Sequence, residues 1–155
     1  MTSIKHQGLA LVGLVGLLGL AACSKPAPPV AFNTEADVHT LMVHVVDPAS
    51  DHVWDSSGWV DTAEGTTDRL PKEDAGWKRA ADSAAIVAEA GNSLMLPGRA
   101  RDQGEWMTYA RQMSLASTKA MKAAEAHNGQ GLFDAGGEMY VACNLCHAKY
   151  LIQAK

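Results

Sequence analysis

From Thr34 onward the apolar residues recur at intervals of three and four, which is the spacing of one face of an α-helix. Four successive stretches have this spacing, and none alternates apolar and polar residues as a half-buried strand does. The sequence therefore predicts four helices. Their expected inward faces are Val38, Leu41, Met42, Val45, Val46, Ala49, Val53 and Trp54; Trp77, Ala80, Ala81, Ala84, Val87, Ala88, Gly91, Leu94 and Met95; Trp106, Ala110, Met113, Ser117, Ala120 and Ala124; and Leu132, Ala135, Gly136, Met139, Cys143, Cys146, His147 and Tyr150.

Prolines, glycines and capping residues predict where these helices begin and end. The first helix should start with Asn33 or Thr34 as its N-cap and kink or break near Pro48, because proline removes a helical hydrogen bond. The polar segment from Thr62 to Arg69 is expected to be a loop that leads to the second helix.

Similar signals bound the last two helices. Asp102 and Glu105 stand in capping-box spacing and predict the start of the third. The fourth is expected to run from about Gln130 to Ile152. Short connections between similar helices favour up-and-down packing, so the predicted fold class is all-α, an antiparallel four-helix bundle over residues 34–155. An irregular all-α fold wrapped around a cofactor is the alternative.

The first 22 residues have the features of an export signal. Lys5 gives a basic head, and the apolar run from Leu9 to Leu20 is too short for a membrane-spanning helix. The following Leu20-Ala21-Ala22-Cys23 resembles the bacterial lipobox, in which the cysteine is acylated and the preceding bond is cleaved. The alternative is a soluble periplasmic protein cut by an ordinary signal peptidase after the alanine pair.

A lipidated Cys23 followed by a proline-rich stretch predicts a tether over residues 23–33. We therefore expect a periplasm-facing lipoprotein anchored in a membrane through Cys23. Ser24, rather than aspartate, after the cysteine resembles the pattern of lipoproteins that are passed to the outer membrane.

Charge excludes one class of partner. The formal net charge of the 155 residues is −4, and removal of residues 1–22 takes away only Lys5, which gives −4 − 1 = −5. The 13 Lys and Arg residues are scattered along the chain, so no basic footprint for nucleic acid is present.

The most specific motif is Cys143-Asn144-Leu145-Cys146-His147, a complete Cys-x-x-Cys-His haem-attachment sequence. On a helix these positions face one way, so both sulfurs can reach the vinyl groups of one macrocycle while the imidazole lies under the iron. The motif predicts one covalent haem c held by the C-terminal helix, with His147 as the proximal iron ligand.

Other interpretations of the motif explain less of the sequence. A zinc site needs further ligands at suitable spacing, and a thioredoxin-like pair needs a βαβ context. A disulfide between Cys143 and Cys146 leaves His147 unexplained. With Cys23 acylated and two cysteines on haem, no thiol is left over.

A helical chain with one Cys-x-x-Cys-His in its last helix resembles the cytochrome c′ group, including its low-spin, methionine-ligated members. The resemblance covers residues 34–155 in architecture, and its specific motif lies only at 143–147. It implies a haem between helices, with the face opposite His147 covered by a residue of the first helix.

Met42 is the residue that the resemblance places on this distal face, and a thioether is a known haem ligand. Met42 can equally be ordinary core packing. His52 is a further alternative ligand, whereas His39 and His44 fall outside the apolar stripe. If no side chain binds, Leu41, Met42 or Val45 caps an open iron position.

These alternatives imply different functions. A His147/Met42 iron predicts an electron carrier, not an enzyme, that exchanges electrons with redox partner proteins in the periplasm. An open iron position predicts a protein that binds NO or CO, and an accessory subunit of a larger enzyme is a third reading. Arg99, Arg101 and Lys149 are candidate partners for the haem propionates, and a homodimer through the first two helices is compatible with the resemblance.

Overall fold

The computed structural model describes residues 31–151, so the expected signal, Cys23 and most of the tether lie outside the described residues. The elements in chain order are α1 (Val38–Leu41), a π-helical turn (Met42–Val46), α2 (Asp47–Asp55), β1 (Trp59–Thr62), β2 (Gly65–Asp68), α3 (Asp74–Leu94), α4 (Glu105–Glu125) and α5 (Gly129–Tyr150). The first three follow one another without interruption and are together called the first helix. The described chain is mostly helical, as predicted, and within it no helix combines the length and apolar character needed to cross a bilayer.

Hydrogen bonds between distant residues fix the directions of the helices. Arg99, which follows α3, donates from its guanidinium to the carbonyl oxygen of Ala36, just before the first helix, at 2.9 and 3.1 Å. Tyr150, at the end of α5, donates to Asp102, just before α4. One end of the molecule, called the motif end, therefore holds the start of the first helix, the end of α3, the start of α4 and the end of α5. This antiparallel order is compatible with the predicted bundle.

The helices are not packed equally. Contact is extensive between α3 and α4 and between α4 and α5, whereas the first helix has fewer contacts. Its α2 part packs on α3 and, less extensively, on α5, and its π turn packs on α3. The seam between the first helix and α5 is thus closed mainly at the α2 end.

Small side chains make the close packing of α3 and α4 possible. A Cβ atom added to Gly91 of α3 would lie 2.8 Å from both the carbonyl oxygen of Ala110 and the Cβ of Ser114 on α4. Both distances are shorter than real Cβ atoms make, so the two helix backbones are too close here for any residue larger than glycine to fit without a shift. Alanines fill most of the buried positions of the two helices: Ala80, Ala81, Ala84, Ala88, Ala90, Ala110, Ala116, Ala120 and Ala124.

The first helix was expected to kink or break near Pro48; it passes through Pro48 without a break, and the irregularity is a π turn directly before it. Pro48 lacks the N–H that would continue the α-helical ladder. The chain accommodates it with the π turn that precedes it, in which the N–H of Asp47 bonds to the carbonyl oxygen of Met42, five residues back. The helix also begins later than predicted, with the Asp37 carboxylate accepting from the N–H of Thr40 at 2.8 Å.

The segment after the first helix is a β-hairpin, not the predicted loop. β1 and β2 pair antiparallel, with Trp59 opposite Asp68 and Thr62 opposite Gly65. Nearly all of its side chains are exposed. Because neither face is buried, the hairpin needs no alternation of apolar and polar residues, which is why the sequence pattern did not reveal it.

The predicted starts of α4 and α5 are close to those observed. The Asp102 carboxylate accepts from the N–H groups of Gly104 and Trp106 at 2.7 and 3.2 Å and so caps α4. Asn128 caps α5 through the N–H of Gly131 at 3.0 Å.

Replacing Gly91 by alanine should lower stability, because the new methyl group meets the backbone of α4. We expect a loss of about 1–3 kcal/mol in the free energy of unfolding, measured by urea denaturation. Gly137→Ala is the matched control, since nothing lies within 4 Å of a Cβ at this site on α5. It should raise stability by up to about 1 kcal/mol. Equal effects of the two substitutions would contradict the close approach.

Candidate cofactor site at the end of α5

The end of α5 that carries the motif is fixed to the start of α4. Tyr150 donates a hydrogen bond to Asp102, and its ring packs edge-on against Trp106 with centroids 5.1 Å apart. Lys149 forms an ion pair with Glu105. The hydrogen bond from Tyr150, together with those from the start of α4, lowers the pKa of Asp102. These contacts hold the last turn of α5 in place.

The two thiols lie one helical turn apart at the rim of the core. Cys143 and Cys146 are free and half-buried, and both pack against the buried cluster. Burial raises the pKa of both thiols, and for Cys143 the neighbouring Cys146 adds to the effect. Burial at the edge of the apolar interior therefore disfavours the thiolate form of both cysteines.

His147 is exposed and belongs to a stripe of residues that runs along one side of α5. Gly136, Tyr140, Cys143 and His147 follow one another at spacings of four, three and four and so form one stripe along α5. The Gly136 end of this stripe contacts the first helix. The His147 end lies on the same side of α5.

That contact is made by Trp54 of α2. Its indole nitrogen donates to the carbonyl oxygen of Gly136 at 2.9 Å, and its ring packs edge-on against Tyr140 with centroids 6.1 Å apart. A Cβ at position 136 would lie 3.3 Å from Cδ1 of Trp54, so glycine allows this close approach. The seam between the first helix and α5 is closed at this point.

Met42 and His147 each lie about three helical turns along their own helix from the contact between Trp54 and Gly136. From Gly136 to His147 is eleven residues, about three helical turns. From Trp54 back to Met42 is twelve residues, which in a straight α-helix would turn Met42 about 120° away from Trp54. The π turn contains one residue more than an α-helical turn, so Met42 is rotated as if it were eleven residues, not twelve, from Trp54. The angle between the two residues around the helix axis is then about 20°. Met42 is half-buried against the core.

The other predicted histidines are not brought to this site. His39 and His44 are exposed, as expected. His52 lines a cleft of about 300 Å³ at the start of α3, which is the opposite end of the molecule from the motif. It is therefore badly placed to share an iron with His147.

Two of the candidate propionate partners have other roles. Arg99 is buried, and its guanidinium is occupied by Ala36 and by the Ser93 hydroxyl at 2.5 Å. Lys149 pairs with Glu105. Arg101 is exposed, at the motif end.

The sequence did not single out the residues that shape the seam. Trp54 and Tyr140 form its closed end, and the π turn sets the orientation of Met42. The only signal for the π turn was Pro48, which indicates an irregular helix without saying of which kind.

Comparison of the chain with models of protein families, with curated proteins and with solved structures finds no match. The suitability of the site for a haem therefore rests on its own residues. Two free thiols one turn apart and an exposed imidazole next to them are the groups that a covalently attached haem requires, and Met42 on the first helix offers a thioether as a further ligand. The residues present fit this group.

Replacing Tyr150 by phenylalanine should raise the pKa of Asp102 toward the ordinary carboxyl value. Because the folded-state pKa is depressed, Asp102 stabilises the fold above the unfolded pKa, and this stabilisation is lost as pH falls through the folded pKa. Carboxyl-carbon NMR titration measures the shift directly. Tyr109→Phe is the control, since Tyr109 bonds to Glu105 instead, at 2.9 Å. An unchanged Asp102 titration in Tyr150→Phe would refute the assigned cause.

Proposed function

We propose that this protein is a monohaem c-type cytochrome that carries electrons at the periplasmic side of a membrane. The haem is attached through Cys143 and Cys146, with His147 as the proximal ligand. The proposal rests on one observation: the complete motif lies in a helix whose free thiols border the core and whose imidazole is exposed next to them.

Met42 is proposed as the distal ligand. It lies on the first helix about three turns from Trp54, just as His147 lies on α5 about three turns from Gly136, the residue that Trp54 contacts. A methionine sulfur opposite a histidine raises the reduction potential of the iron and closes its sixth position, which suits electron transfer rather than gas binding.

When bound, the haem supplies a one-electron couple. The protein's part is to hold it and to limit its contact with water. Leu41, Met42 and Val45 are the apolar side chains that the first helix offers for this purpose. Trp54 and Tyr140 close the seam at the end away from the motif.

The site in the cell is proposed from the N-terminal sequence. Residues 1–22 direct export, and the acylated Cys23 holds the domain at the membrane through the tether of residues 23–33. Haem c is attached outside the cytoplasm, so export and the Cys-x-x-Cys-His motif support one another. The partners are redox proteins of the periplasm.

Haem attachment should depend on the motif and not on the lipid. The full chain is expressed in a bacterial host that has a haem-attachment apparatus, and covalent haem is measured by mass and by the spectrum that survives acid–acetone extraction. Cys143→Ala with Cys146→Ala should lose all covalent haem. Cys23→Ser is the control: it should keep the haem and move from the membrane to the soluble fraction. A wild-type chain without covalent haem would refute the proposal.

Met42→Ala should open the sixth position of the iron. The wild-type spectrum should be low-spin, with a sulfur-to-iron charge-transfer band and no response to CO. The variant should lose that band, bind CO and have a lower reduction potential. Met121→Ala on α4, which also removes a half-buried methionine, should change none of these. A wild-type protein that is high-spin and binds CO would instead make it a gas-binding haem protein.

A further inference from the structure

The negative charge of the described residues is concentrated in their first third. Residues 31–68 contain eight of the 17 acidic residues and no lysine or arginine. Residues 69–151 contain nine acidic residues and ten Lys or Arg, a balance of +1. The eight acids are Glu35, Asp37, Asp47, Asp51, Asp55, Asp61, Glu64 and Asp68. The surface of residues 31–68, called the acidic face, thus carries the excess negative charge, and the rest of the described domain is almost neutral.

Three of these acids form a row along the outside of α2. Asp47, Asp51 and Asp55 follow at spacings of four and are all exposed. Two acids of the face are compensated by neighbours, Asp55 by Arg69 at 3.3 Å and Asp68 by Lys72 at 2.5 Å. Asp47 and Asp51 make no ion pair with any residue of 31–151, so their charge is directed at solvent.

Exposed aromatic side chains lie on α5 and β1, and Trp54 joins α2 to this group. Trp59 of β1 and Phe133 of α5 pack together with ring centroids 5.2 Å apart, yet they are 51% and 45% exposed. Tyr140 is 57% exposed next to Trp54. Large aromatic groups left in water next to charged residues are typical of surfaces that bind another protein.

The aromatic group lies on the flank of α5 that leads to the cofactor site. Tyr140 belongs to the same stripe as His147, two turns away, and this stripe borders the seam. A protein bound over Trp59, Phe133 and Tyr140 would therefore lie alongside the position of the haem, which is the geometry that electron exchange requires.

We propose that this acidic, aromatic face is the docking surface for a basic electron-transfer protein. The inference rests on the proposed function. The negative charge of this face favours a basic partner. An anionic membrane surface would be repelled, and so would a second copy of the chain, because its eight acids would meet eight like charges. A basic partner gains long-range attraction to the row on α2, and the aromatic groups then supply short-range contact.

The opposite flank of α5 offers a contrast. A groove of about 650 Å³ between α4 and α5 also exposes apolar residues, among them Leu115 and Val141, but Lys119 and Lys122 flank it. Its charge does not favour a basic partner, so it serves as a control surface.

The test uses the haem-loaded full chain. Its absorption spectrum is recorded first, because a missing haem refutes the proposed function before docking is examined. Stopped-flow absorbance then follows electron exchange with a small, strongly basic c-type cytochrome at rising salt concentration. For the wild type, the second-order rate should fall steeply with salt, because exposed charges drive the encounter.

Two pairs of matched variants locate the surface. Asp47→Asn with Asp51→Asn should lower the low-salt rate by about tenfold. Glu89→Gln with Glu125→Gln removes the same net charge from α3 and α4 and should change the rate less than about twofold. Trp59→Ala should lower the rate, whereas Leu115→Ala in the groove should not. Reduction by a small neutral hydroquinone should be the same in all five proteins.

Three results would overturn the docking proposal while leaving the haem assignment intact. One is an equal fall in rate for both charge variants, which would mean that only net charge matters. Another is no effect of Asp47→Asn with Asp51→Asn. The third is a wild-type dimer, detected by sedimentation, that these two substitutions dissociate, because the face would then bind a second copy.

Discussion

The close approach of α3 and α4 is the constraint on which the rest of the molecule depends. Where Gly91 meets the backbone of α4, no side chain fits between the helices, and alanines continue the same tight contact along both. An interior this narrow has no room for a large group. Any cofactor of the size of a haem must lie where packing is loose, and in residues 31–151 the seam between the first helix and α5 is such a place.

The seam is shaped from its two ends. Trp54 closes it on Gly136, while the bond between Tyr150 and Asp102 holds the last turn of α5 against α4. Between these points α5 cannot move toward the first helix, and the two thiols remain at the edge of the core. The π turn changes the rotation of the residues that precede it, Met42 among them, relative to Trp54.

Helical periodicity was sufficient to predict the helices, since four long amphipathic stripes leave little choice of partner. The hairpin was missed because both of its faces are exposed, so burial imposes no alternation on Trp59 to Asp68. Motif spacing gave the attachment residues of the candidate site. Motif spacing could not predict the seam, because the Trp54 contact and the π turn depend on how the first helix packs against α5, which is distant in sequence. Arg99 illustrates the same limit: its charge suggested an anionic ligand, whereas the fold uses it to hold Ala36.

The uneven packing also divides the molecule into parts of different local stability. Helices α3, α4 and α5 share most of the contacts and should open only when the whole domain unfolds, whereas the first helix can detach at a smaller free-energy cost. Its start is held mainly through the bonds between Arg99 and Ala36. Opening of this one helix breaks its contact with Gly136 and leaves the other three helices folded. A bulky group can therefore enter beside α5 without the chain having to unfold and fold again.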